Sequence, residues 1–117
     1  MQFVHGDPLM VDYTPVTAVA AGKIVNYLGK ACIAHTDIPA NTLGALAWPN
    51  GSSVYAIEST DTFASGEDTL TAGDTLYMET ADGELSDTAT GAVAVGPVMA
   101  TIGSAAAGVG VYVVHGG

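Results

Sequence analysis

The chain has 117 residues, the size of one domain rather than two. Hydrophobic residues make up 49% of it, enough for a core, which excludes disorder over the whole length. Twelve acids against two lysines and no arginine give a net charge of -10, which excludes nucleic-acid binding through a basic footprint and disfavours an anionic membrane surface.

The first ten residues place Phe3, Val4, Leu9 and Met10 around Gly6-Asp7-Pro8. Pro8 biases Asp7 away from helix, so the segment reads as an extended N-terminal arm, residues 1–10, ahead of a β domain, residues 11–117. A solvated tail has no need of large apolar side chains. Phe3, Val4, Pro8, Leu9 and Met10 are therefore the candidate contact residues, with a frayed terminus as the plain alternative. On the contact reading, deleting the arm weakens binding and leaves the β body intact. The arm has neither a basic nor an apolar leader-like run, so no signal peptide is expected and synthesis is expected in the cytoplasm.

From there the chain breaks into short β-prone runs. Thirteen Val and thirteen Thr suit a pleated sheet, long-chain helix formers are scarce, and no window carries apolar residues at helical spacing. Strands are expected near Val11–Thr14, Val16–Ala20, Lys23–Leu28, Ala31–His35, Leu43–Trp48, Val54–Ser59, Thr75–Thr80, Val93–Ile102 and Val109–His115. Ala21-Gly22, Leu28-Gly29, Pro49-Asn50-Gly51 and Asp82-Gly83 supply turns, since Gly, Asn and Asp tolerate positive φ. Asp37–Ala40 is expected to form one helical turn. Glu58–Asp74, with five of the twelve acids, reads as an exposed acidic loop. Ala92 to Val114 is uncharged over 23 residues, but its glycines and β-branched residues describe two strands joined at 103–108, not a membrane span. The fold class is all-β: a small single-domain β-sandwich or β-barrel of short strands with an extended N-terminal arm.

An internal echo runs through this pattern. Ala21-Gly22-Lys23-Ile24-Val25 is answered by Ala72-Gly73-Asp74-Thr75-Leu76. Each is followed by a strand, an Ala-rich loop and a second strand, ending in Gly44–Trp48 and in Gly110–Val114. The period is not constant, so duplication and a shared hairpin grammar both remain open.

Catalytic groups do not assemble in the sequence. His5, His35 and His115 are scattered without ligand spacing, so no metal site is expected. Cys32 sits in the apolar run Ala31–Ala34 and reads as a small buried hydrophobe. No G-x-S-x-G elbow is present. Glu67-Asp68 and Asp82/Glu84 sit in polar turns that keep carboxylates solvated. Asn50-Gly51-Ser52 reads as a turn rather than a glycosylation site. A carrier domain would need a Lys at a hairpin tip, where Ala81-Asp82-Gly83-Glu84 has none. The chain is read as a non-enzyme without cofactors.

The order of the pieces resembles the small head-decoration proteins of tailed bacteriophages, also called capsid cement or stabilising proteins. The resemblance rests on Ala20–Val25, Leu28–Ala34, Asp37–Ala47, Leu70–Tyr77, Thr88–Ala92, Val95–Val98 and Ala107–Val113, in that order. The chain departs from the pattern in its N-terminal arm and in an insert at Glu58–Leu70. The resemblance implies a compact β fold, no catalysis, and many copies on the outer face of an icosahedral capsid, bridging subunits of the major capsid protein. It also implies self-association, with a homotrimer favoured and a dimer as the alternative, and a place on the virion exterior after synthesis in the host. A tail or fibre module recognising a host surface is the alternative.

Overall fold

The structure is a computed structural model that describes residues 1–64, 70–103 and 108–116. It contains ten strands: β1 (Gln2–His5), β2 (Leu9–Tyr13), β3 (Ile24–Tyr27), β4 (Lys30–Ala34), β5 (Gly44–Trp48), β6 (Ser53–Ala56), β7 (Thr75–Glu79), β8 (Leu85–Ser86), β9 (Ala92–Pro97) and β10 (Tyr112–His115). They form antiparallel sheets ordered β1-β6-β10, β2-β5-β4-β3 and β8-β7-β9. The all-β expectation holds: no α-helix occurs among the described residues, and none of their helices is long and apolar enough to cross a membrane.

The echo in the sequence becomes a repeated hydrogen-bond pattern. In the first half Val19 and Ile38 exchange backbone bonds, Gly22 N–H donates to Ala34 O, Ala34 N–H to Lys23 O and Lys23 N–H to Ala20 O. In the second half Leu70 and Ile102 exchange the same bonds, Gly73 donates to Val98, Val98 to Asp74 and Asp74 to Thr71. Strand pairing repeats too. Ala34 faces Leu46 and Leu46 faces Val11, while Val98 bridges Val113 and Val113 faces Tyr55. The unit β2-β5-β4-β3 therefore recurs as β6-β10-β9-β7, because the Val98–Val113 bridge joins β9 to β10. The tight Leu28-Gly29 turn between β3 and β4 is replaced by residues 80–91, which carry β8.

The two halves bury different amounts. Tyr55, Leu70, Leu76, Met78, Val98, Ile102 and Val113 line the second half and belong to the main core. Ile24, Ala31, Ile33 and Ala47, from the opposite face of the first half, pack into that same core. The inner face of the first half holds a smaller core of Cys32, Ala34, Ile38 and Leu46. Its sheet coils over this cluster far enough for the Tyr13 and Tyr27 rings, on the two outer strands, to meet edge-on at 5.0 Å.

Several local expectations change. Only Val19 of the expected strand Val16–Ala20 is paired, in an isolated bridge to Ile38, and the stretch joins none of the sheets. For the same reason Ile38 is extended and buried instead of starting a helical turn. In the acidic segment, Phe63 and Leu70 are core residues, and Asp61 and Glu58 hold the Met1 ammonium group at 2.8 and 3.3 Å. Its centre, with Glu67-Asp68, lies outside the described residues, as do Ser104–Ala107 of the expected turn before β10. The first ten residues are extended, and both of their strands pair within the body. Met1 itself is 2% exposed in the main core.

Candidate functional site

The five candidate contact residues lie on β1 and β2 and the turn between them. Gly6 opens that turn at φ +118°, and a Cβ there would lie 2.8 Å from Ser52 O. Asn50 holds the turn from below. Its Nδ2 donates to Asp7 O over 2.8 Å, and its Oδ1 accepts from the Ser52 and Ser53 amides. The triplet Asn50-Gly51-Ser52 is thus a working turn.

The five side chains do not converge on one face. Phe3, paired opposite Tyr55, lays its ring 5.2 Å from the His35 ring and 5.6 Å from that of Tyr55. Val4 sits where the β1–β6 register shifts, at a bulge. Pro8 is half-buried. Leu9 stands opposite Trp48 and Met10 opposite Ala47, on the two faces of β2. Leu9 is 56% exposed and Met10 41%, whereas Phe3 and Val4 are just over a third exposed. The structure keeps Leu9 and Met10 open and engages Phe3 with its own body.

Sequence reasoning missed other exposed apolar residues: Val16, Leu28, Leu43 and Met99. Leu28 had a legible signal. It occupies a tight-turn position that favours Asn or Gly, and its φ is +54°.

Behind Phe3 lies the densest group of polar aromatic side chains. His35 Nε2 and Tyr55 Oη share a 2.5 Å hydrogen bond, and the Tyr55 and His115 rings meet edge-on at 5.3 Å. His115 Nε2–H donates to Ala31 O over 2.6 Å. Burial lowers the pKa of both histidines and pushes the Tyr55 hydroxyl up to about 12. Burial likewise pushes the Cys32 thiol up to about 11, so it stays protonated and unreactive at neutral pH.

Among the described residues the grouping with metal-ligand geometry is Glu79, Asp82 and Glu84, on the β7–β8 turn. The turn already uses these groups: the Glu84 amide donates to Asp82 Oδ1 over 3.0 Å. A hydrogen bond to Asp82, reinforced by its charge, raises the Glu84 pKa. Among the described residues neither a histidine nor Cys32 belongs to such a group.

A small β body with apolar side chains open along its edge strands is the build of a protein that works by contact. The family model for phage cement proteins matches residues 4–114, and the chain belongs to that family. The match runs through the N-terminal strands and the 58–70 insert, where the sequence departs from the expected order of pieces. No curated protein and no solved structure matches the chain. Its role is thus that of a structural protein of the phage capsid.

Proposed function

We propose that the protein sits on the outer face of the capsid after synthesis in the host, bridges neighbouring subunits of the major capsid protein, and performs no catalysis. In this reading residues 1–10 are the contacting segment and residues 11–117 the β body that carries it. Phe3, Val4, Pro8, Leu9 and Met10 make the contact.

The observation that supports the reading most directly is the exposure of Leu9 and Met10 on a strand that the body orders completely. Large apolar side chains carried on an already paired strand gain from burial without a further backbone ordering cost. A protein that binds the assembled lattice and not free subunits stabilises it by mass action, by about 2.7 kcal/mol per site at a hundredfold excess over Kd. Self-association as a homotrimer would add avidity by linking several such contacts.

The test is imaging and occupancy on capsids assembled with and without the protein. Wild type should populate the exterior in hundreds of copies, and Leu9→Asp should lower apparent affinity about tenfold or more while its far-UV circular dichroism stays unchanged. An empty exterior, or a few copies confined to the tail, would overturn the reading. Light scattering of the free protein checks the trimer.

A further inference from the structure

We propose that β2 binds its partner by strand addition: an extended, Lys- or Arg-bearing segment of the capsid shell pairs along the outer edge of β2, where Met10 and Asp12 offer their backbone groups. This rests on the capsid-exterior reading above and specifies its contact.

The direction of each peptide group follows from the hydrogen bonds. Ala34 bonds to Gly22 and Lys23, so its peptide groups point away from β5. Alternation turns Ile33 toward Ala47, and hence Leu46 and Trp48 toward Val11 and Leu9. Met10 and Asp12 therefore aim N–H and C=O outward, and among the described residues nothing bonds to them.

The internal repeat shows what such an edge accepts. The second-half counterpart of β2 is β6. Ile57 N–H donates to Val111 O, so the odd residues of β6 face β10, while Val54 and Ala56 face β1, which pairs with them. β1 thus covers on β6 the edge that Met10 and Asp12 leave open on β2.

The other outer strands are guarded by devices that discourage pairing. β1 is broken by its bulge at Val4, β8 has two residues, and β3 is flanked by Lys23 and faces Met78–Thr80 across a cleft. β2 is five residues long, in unbroken register with β5, and contains neither Lys nor Pro.

Charge selects the occupant. Asp7 and Asp12 flank the edge and no cation lies in β1 or β2. A second copy would bring another -10 of charge, and its β1 is already paired to its own β6. A basic extended segment of the shell meets the acids, its main chain meets Met10 and Asp12, and its side chains cover Leu9 on one face and Met10 on the other.

The test uses full-length protein and capsids assembled without it. Proline at position 12 removes an outward N–H and leaves the β2–β5 ladder intact, as edge strands tolerate. Asp12→Pro should bind about tenfold more weakly with an unchanged melting temperature, matching the loss of one hydrogen bond. Asp12→Asn, which keeps the N–H, should lose affinity less, and mainly at low salt. In wild type, hydrogen exchange across residues 9–13 should slow on capsid binding. Binding by Asp12→Pro equal to wild type, or unchanged exchange in the bound state, overturns strand addition while the exterior location stands. Failure of wild type to bind capsids overturns both. Should Asp12→Pro not fold, the exchange measurement on wild type decides.

Discussion

His115, in the last strand, donates from Nε2 to the carbonyl of Ala31, in β4, over 2.6 Å. The bond ties the two repeated halves together beneath the Tyr55 ring. It also settles the tautomer: with the proton on Nε2, Nδ1 is a bare acceptor, buried and without a hydrogen-bond partner. Ser53, directly opposite His115 across the β6–β10 pair, likewise leaves its Oγ buried and unpartnered.

This geometry predicts acid sensitivity. Protonating His115 would place a second N–H in a buried site beside Tyr55 and Ser53, where the neighbouring titratable charge is His35 and, among the described residues, no carboxylate favours the charged form. Burial lowers the pKa of both His115 and His35 from 6.5. Below about pH 6.5 the unfolded chain therefore binds protons that the folded chain refuses, and stability falls as pH falls. Thermal melts from pH 8 to pH 5 should show a declining melting temperature below that point, and His115→Gln should flatten the decline. A melting temperature that is level or rises toward pH 5 contradicts this account.

Gly96 is where β9 meets the end of β10. Its φ is +150°, and a Cβ would stand 1.8 Å from the Val114 carbonyl oxygen. No side-chain adjustment relieves a clash with backbone. Gly96→Ala should destabilise the protein by about 3 kcal/mol or more, read by urea denaturation. Gly73, also at positive φ but with open space around it, should tolerate Ala better, for a loss of about 1 kcal/mol.

Leu28 predicts the opposite sign. It is 74% exposed, so its side chain contributes little packing, yet its backbone is left-handed in a two-residue turn. Asn adopts that conformation more readily. Leu28→Asn should raise stability by about 1 kcal/mol, and an unchanged or lower denaturation midpoint would count against the strain assignment.

Removal of residues 1–10 should do more than weaken binding. It takes Met1 out of the main core, strips β1 from β6, removes the first two of the five β2 residues paired with β5, and frees the Asp61 carboxylate that holds the Met1 ammonium group. Circular dichroism should show lost strand signal and a broad melt. A truncated chain that melts as sharply as the full one would show that the strands are dispensable.

Much of this architecture was legible because β-structure is written locally. Val and Thr content, glycine punctuation and the Asn50-Gly51 turn located most strands, and the Ala-Gly echo pointed to the repeated unit. Pairing was less legible. Val16–Ala20 looks like a strand by composition, but strand formation needs a neighbour, and only Val19 finds one, in Ile38. Phe3 and Leu9 read alike as exposed arm residues; their difference arises from His35 and Tyr55, which are remote in sequence and adjacent in space.

By itself the sequence determined the class of this protein: an acidic, all-β chain with the ordered motifs of a capsid cement protein, because composition and turn chemistry act over a few residues. Tertiary structure alone decided which strand edge is covered and which is open. Main-chain hydrogen-bonding groups are the same for every residue type except proline, so only the packing of β1 on β6 could reveal that β2 has no such cover.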